Sequence, residues 1–236
     1  MILRMSGVHS YYGLSHILQG VDLEIAAGEI VGLFGRNGVG KTTTLRTIAG
    51  WVKPAQGDIF FQDTRLDSLE QDAIARQGVA FIPEDRRIFP GLSVEENLQL
   101  GLLQNPKLSK AEQRQGLSDI YKRFPRLHER RSQAGITLSG GEQQMLTIAR
   151  ALIGRPRLML IDEPSEGLAP MIVDDIFTLL EELKKDGVSI LLVEQNVKRS
   201  LTVVDRFYVM KRGSITLAGK ASEPADQAQL LREIAL

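Results

Sequence analysis

Gly35-Arg36-Asn37-Gly38-Val39-Gly40-Lys41-Thr42 places three glycines, a lysine and a hydroxyl in an order suited to holding a triphosphate. The apolar run Ile30-Val31-Gly32-Leu33-Phe34 before it reads as a buried strand, and Thr43 to Ala49 after it has helical spacing. A glycine-rich turn between strand and helix points successive backbone N–H groups into one concavity, where the helix dipole adds partial positive charge. Lys41 would reach the β- and γ-phosphates, the Thr42 hydroxyl would ligate Mg²⁺, and Thr43 counts with the phosphate-contacting residues. A loop that merely turns the chain would not need the Lys-Thr pair in this context. The expected ligand is a nucleoside triphosphate.

A second chemical element is the apolar run Leu158-Met159-Leu160-Ile161 ending in Asp162-Glu163. Adjacent carboxylates at the end of a buried strand are costly unless a cation or water compensates them. Asp162 is placed to hold Mg²⁺ opposite Thr42, and Glu163 to accept a proton from, or orient, the water attacking the γ-phosphate.

The third element is Leu138-Ser139-Gly140-Gly141-Glu142-Gln143. Ser139 is a natural N-cap, and the paired glycines admit close approach by something flat or charged. An ordinary capped helix start would need no further role. Yet the chain has one lysine-bearing phosphate loop and two helix termini suited to anions. One economical solution is that Ser139, Gly140 and Gly141 cap a phosphate held by another copy.

The elements that must position these groups can be read around them. Val8–Tyr12 and Ile17–Ile25 read as strands, the second alternating in the manner of a half-buried antiparallel strand. Tyr12, before Gly13, serves equally well as a purine platform or as a packed strand residue. Asp58–Gln62 and Val79–Ile82 are further strands, and Leu69–Arg76 a helix. The loop Glu84-Asp85-Arg86-Arg87-Ile88-Phe89-Pro90 follows a strand's C-terminal end, beside the ligand crevice of an open α/β sheet. Ser93-Val94-Glu95-Glu96 carries a capping-box pattern, and from Ser93 to Gln133 the pattern is helical throughout, which predicts a helical insertion. Pro170–Lys185 is a helix, Ser189–Val193 a buried strand running into Glu194-Gln195-Asn196, and the tail a hairpin turning at Arg212-Gly213 plus an amphipathic helix.

Composition narrows the rest. A chain of 236 residues suits one large domain or a core with a subdomain. Acidic and basic residues balance at 29 each, so no global field draws the chain to nucleic acid or anionic lipid. There is no cysteine, which excludes disulfides and thiolate metal sites and fits a reducing compartment. No apolar run approaches a membrane span, so any work at a membrane goes through a partner.

Taken in this order and spacing, the phosphate loop, Leu138–Gln143 and the Asp162-Glu163 strand resemble ATP-binding-cassette (ABC) ATPases across the whole chain. The resemblance implies an α/β P-loop core with a mainly parallel sheet, an N-terminal antiparallel β region and an inserted helical subdomain. The expected boundaries are one cassette over 1–236, with the core at about 1–90 and 156–236 and the helical subdomain at about 91–155. It further implies ATP and Mg²⁺ as ligands. It also implies a head-to-tail dimer with an identical or homologous cassette, each nucleotide lying between one chain's phosphate loop and the other's Ser139–Gly141.

A finer resemblance is to the ATPase subunits of branched-chain amino acid importers and their relatives for urea and short amides. Pro83-Glu84 with Arg86–Pro90, Val94–Leu98, Gly167-Leu168-Ala169-Pro170 and Leu192–Asn196 carry it. Tyr11-Tyr12-Gly13 and Gly35–Val39 look as much like the urea branch, whereas Glu84, where that branch tends to carry glutamine, leans to branched-chain amino acids. This implies transmembrane permease partners, indirectly a solute-binding protein, and a peripheral place on the cytoplasmic side of the inner membrane. Two positions depart from the wider family. Glu84 stands where a glutamine usually meets Mg²⁺ and the attacking water, and Gln195 where a histidine is expected. Gln195 can donate a hydrogen bond to phosphate but cannot titrate, which leans catalysis onto Glu163. Soluble ABC ATPases of repair or translation carry long coiled-coil insertions or two cassettes, unlike this chain. No Asn-Lys-x-Asp guanine motif occurs.

Overall fold

The computed structural model describes residues 1–235. In chain order the elements begin β1 (Leu3–Tyr12), β2 (Ser15–Ile25), β3 (Ile30–Phe34), α1 (Lys41–Ile48), β4 (Gln56–Phe61), β5 (Thr64–Arg65), α2 (Gln71–Arg76) and β6 (Val79–Ile82). Helices follow: α3 (Val94–Gly101), α4 (Lys110–Arg123), α5 (Pro125–Glu129) and α6 (Gly140–Leu152). The chain closes with β7 (Leu158–Asp162), α7 (Pro170–Lys185), β8 (Ser189–Val193), α8 (Val197–Ser200), β9 (Arg206–Lys211), β10 (Ser214–Lys220) and α9 (Pro224–Ala235).

The strands form two sheets, a four-stranded one in the order β2-β1-β4-β5 and a six-stranded one in the order β10-β9-β3-β8-β7-β6. The first is antiparallel throughout. In the second only the β9–β10 pair is antiparallel. Strands β3, β7 and β8 are buried at every position, as expected of parallel strands covered on both faces. Alternate residues of β3 therefore serve two cores. Ile30 and Phe34 pack with the helical side, among α6 and α7 residues such as Leu146 and Phe177. Val31 and Leu33 pack with the antiparallel sheet and α1, among Leu3, Ile25 and Leu45.

This parallel arrangement collects the site. Register pairs Leu33 and Asp162 with Val193, and Ile82 with Ile161, so the C-terminal ends of β3, β8, β7 and β6 lie along one edge. The four segments that leave that edge are the phosphate loop, Glu194-Gln195, Asp162-Glu163 and the Glu84–Pro90 loop. Between β6 and β7 every described element is helical, with one isolated bridge between Ser93 and Ala134. The expected capping box at Ser93 is present, its hydroxyl accepting from the Glu96 N–H. Helix α4 ends at Arg123, and Pro125 opens the separate short helix α5.

Strand β1 begins five residues earlier than its apolar pattern predicts. Leu3, Met5 and Val8 all point inward because a bulge lies between Met5 and Val8, where Gly7 has φ +55°. Strand β4 likewise starts at Gln56, and α2 starts only at Gln71. None of these shifts touches the edge that carries the site.

Candidate nucleotide site

The edge opens on a cavity of about 340 Å³. From the phosphate loop it takes Asn37, Gly38, Gly40, Lys41, Thr42 and Thr43. From the neighbouring strand ends come Glu84, Glu163 and Gln195, joined by Glu166 and Ile17, whose places in the cavity went unread in the sequence. Gly35 could carry no side chain: its φ is +149°, and a Cβ there would lie 2.4 Å from the Met210 carbonyl oxygen. Gly40 is the N-cap of α1, with φ +117° and no side-chain cap. Helices α3, α4 and α6, by contrast, each begin with a complete serine–glutamate capping box. Helices α2 and α7 also start without a side-chain cap, but of the three only α1 opens on the cavity, where its first N–H groups suit an anion.

Lys41 is 5% exposed and donates to the carbonyls of Gly35 at 2.9 Å and Arg36 at 3.1 Å, which ties the loop's start to its end. Its Nζ also lies 3.9 Å from a Glu163 oxygen. Burial lowers its pKa below the ordinary lysine value, against the opposing pull of Glu163 and Asp162.

Asp162 is 1% exposed and accepts a hydrogen bond from the Thr42 hydroxyl at 3.2 Å. Burial pushes its pKa up to about 6, only partly offset by that hydrogen bond, with Glu163 and Glu84 adding to the rise. A buried carboxylate beside the Thr42 hydroxyl, just behind the wall of an acidic cavity, is a donor set that fits a hard divalent cation. One prediction follows from the proton balance. Above its unfolded value of 3.8 and up to about 6, folded Asp162 holds a proton that the unfolded chain releases. Stability of the magnesium-free protein therefore falls as pH rises through that window, and the loss is complete above it. Asp162→Asn should flatten this slope and raise the nucleotide-free stability at pH 7 by on the order of 2 kcal/mol, seen as a higher Tm. Thermal melts of both proteins between pH 4 and 8 check it, and an unchanged slope would place the pH dependence elsewhere.

Glu163 sits at the turn leaving β7 with φ +45°, a left-handed conformation unusual for a residue with a side chain. Its N–H donates to the Val193 carbonyl at 2.9 Å, and Gln195 Nε2 donates to its carboxylate at 2.5 Å. The position expected to hold a histidine therefore grips Glu163. The turn itself is fixed by Glu194, buried to 3% exposure, whose carboxylate accepts from the N–H groups of Ser165 at 2.9 Å and Gln195 at 3.0 Å. Glu166 comes back over Glu163, and carboxylate oxygens of Glu84, Glu163 and Glu166 all lie within 4.8 Å of one another. A hydrogen bond to Glu163 raises the Glu166 pKa to about 7. The visible signal for Glu166 was its place three residues beyond Glu163 in a tight turn.

Gly35, Arg36, Val39 and Asp162 belong to the loop and strand end behind the cavity wall, and two further predicted contributors lie off it. Tyr12 ends β1 with 44% of its surface exposed, backbone-paired to Ser15 but outside the cavity wall. The hairpin that presents it is braced by a stack of Tyr11 on His16, 4.3 Å between ring centroids, and by a 3.0 Å contact from His9 Nδ1 to His16 Nε2. Ser139, Gly140 and Gly141 do not line the cavity either. The Ser139 hydroxyl accepts from the Glu142 N–H at 3.3 Å and donates to its carboxylate at 2.8 Å. Gly141 permits tight packing, since a Cβ there would meet Ile172 at 2.9 Å.

A parallel sheet whose ends gather a phosphate loop and paired acids defines a nucleoside-triphosphate-hydrolysing α/β domain. Comparison with known proteins makes the class specific. Residues 18–166 match the family model described as ABC transporter. The high-affinity branched-chain amino acid transport ATP-binding protein BraG of Pseudomonas aeruginosa is 44% identical, over 92% of this chain and 91% of its own. The lipopolysaccharide export system ATP-binding protein LptB of Escherichia coli K12 is 36% identical, over 88% of this chain and 86% of its own. A nucleotide-free ATP-binding cassette from an ABC transporter superposes with a TM-score of 0.86 at 26% identity, covering 99% of this chain and 97% of that one. The dimeric post-hydrolysis structure of the cassette MJ0796 with ADP and Pi gives 0.84 at 26% identity, covering 94% and 99%. The chain belongs to the ABC transporter family, as an ATP-hydrolysing cassette coupled to transport. Among the described residues no helix is long and apolar enough to cross a membrane.

Proposed function

We propose that this cassette energises uptake of branched-chain amino acids, working as one of a pair on the cytoplasmic side of the inner membrane beneath permease subunits. The observation that carries the cargo is the 44% identity to BraG along nearly the whole of both chains, against 36% to the exporter subunit LptB. Support for a permease partner comes from the Glu84–Pro90 loop. Phe89 stands 48% exposed there, with Arg87 stacked 4.2 Å over exposed Trp51. Asn97, itself buried, holds the loop from behind by hydrogen bonds with the backbone of Phe89, Leu92 and Ser93. A braced loop that leaves an aromatic ring half exposed suits docking to another protein. The helical elements from α3 to α6 form the subdomain that moves with it, at about 91–155.

In this reading the loop Gly35–Gly40, Lys41, Thr42 and Thr43 bind the triphosphate, and Tyr12 offers its ring to the base. Thr42, Asp162 and Glu84 hold Mg²⁺, which when bound neutralises charge on the phosphate oxygens. Glu163, oriented by Gln195 and Lys41, takes the proton of the attacking water as its oxygen bonds to the γ-phosphorus and the bond to the ADP oxygen breaks. Ser139, Gly140 and Gly141 of a second cassette close the site, so ATP favours the closed pair and product release the open one.

The test is to purify the cassette with its membrane assembly and identify the solute held by the accompanying binding protein. Leucine, isoleucine or valine is expected. Urea or a short amide there would move the cargo to the neighbouring branch. An assembly that exports lipopolysaccharide, with no binding protein, would overturn the import reading.

A further inference from the structure

Arg86 holds an unfavourable backbone. Its φ is +56° and that of Arg87 is +46°, the left-handed region that a residue with a Cβ rarely adopts. Strain kept at a non-glycine residue points to a side chain needed where it stands. The backbone is pinned on the helical side: the Arg86 carbonyl accepts from Thr147 Oγ1 at 2.8 Å and Arg150 Nη2 at 3.2 Å, both on α6. The guanidinium points the other way. Its Nη2 donates to the Glu166 carbonyl at 3.3 Å, and its Nη1 lies 3.3 Å from where a Cβ on Gly140 would stand. One residue thus meets three segments: the Glu84–Pro90 loop, the turn after Glu163, and the first turn of α6.

Two of those segments, through Glu84 and Glu166, line this chain's own nucleotide cavity, while Gly140 does not. We propose that Arg86 is a positioning residue that locks the Glu163–Glu166 turn to the Ser139–Gly141 turn, so that each nucleotide site of a pair sets the geometry of the other. The inference rests on the paired-cassette reading above, in which Ser139–Gly141 serves the partner's nucleotide. One arm of the planar fork bonds the Glu166 carbonyl while the other rests against Gly140, an arrangement a flexible ammonium does not keep. Gly140, lacking a side chain, lets the fork approach. Any displacement of Glu84 or Glu166 by the γ-phosphate is then carried through the Arg86 backbone and fork to Gly140. This is a coupling between sites in the thermodynamic sense.

Arg86→Gly and Arg86→Ala test it together. Glycine adopts φ +56° without steric cost, so Arg86→Gly should keep or raise the Tm, whereas alanine retains the strain. Both lack the guanidinium. In both, ATP binding to the single chain should be unchanged, cooperativity in the ATP saturation curve should fall, and the ATP concentration that pairs a Glu163→Gln background should rise about fivefold or more. Rescue of pairing in an Arg86→Lys chain should be partial at most. A lower Tm for the glycine variant would make Arg86 a folding residue and overturn the proposal. So would unchanged pairing and cooperativity in both variants, or a defect in the glycine variant alone, which would assign the effect to backbone freedom. Failure of Glu163→Gln to pair while Arg86 is intact would instead refute the paired-cassette reading, and is seen in the control arm.

Discussion

Glu163→Gln should leave ATP binding close to wild type while turnover falls by roughly 10²-fold or more, the range typical of a lost general base. The amide is nearly isosteric and can still meet Gln195, whose Nε2 now donates to the Glu163 carboxylate at 2.5 Å. It cannot take a proton from water. The substitution also removes a charge from the Glu84–Glu163–Glu166 group, whose oxygens lie within 4.8 Å of one another. Repulsion toward the triphosphate therefore drops, and affinity for ATP should hold or tighten even as hydrolysis stops. Single-turnover hydrolysis beside equilibrium ATP binding separates the two effects. Wild-type turnover in the variant would remove Glu163 from the chemistry and turn attention to Glu84.

How much of this was legible beforehand follows the physics of each element. Parallel strands covered on both faces are continuous apolar runs, so β3, β7 and β8 and the groups at their ends stood out. The first five residues of β1 did not, because the bulge at Gly7 breaks the alternation that betrays a half-buried strand. Glu194 and Glu166 were visible only as acids near a strand end or in a turn. Their roles depend on distances across the sheet edge, from Glu194 to the Ser165 N–H and from Glu166 to Glu163, which no local pattern encodes. Ser139 shows the converse. Its N-cap was readable, but Ser93 and Ser109 cap their helices with the same serine–glutamate box, so the cap alone does not distinguish an anion site from a helix start. In the sequence Arg86 is one residue of a charged loop, and only its φ and its contacts with Glu166 and Gly140 set it between segments.

Lys41→Ala is the second large effect. The side chain closes the phosphate loop on two carbonyls and brings a buried cation close to Glu163. Its loss removes charge-assisted bonds to phosphate and leaves two carboxylates facing the triphosphate uncompensated. ATP affinity should weaken by roughly 10²-fold, with hydrolysis lost in proportion.

That variant also gives the most direct test of the central claim, that a working site takes its phosphate loop from one chain and Ser139–Gly141 from another. Ser139→Arg should bind ATP through its own loop yet remain inactive, because a bulky cation blocks the closing surface. Mixing it with the Lys41→Ala chain creates pairs in which one site joins an intact loop to an intact Ser139 turn. Steady-state ATPase measured for each variant alone and for the mixture is predicted to be near background alone and clearly restored on mixing. A mixture no more active than the sum of its parts, with both chains folded and able to pair, would contradict the shared site.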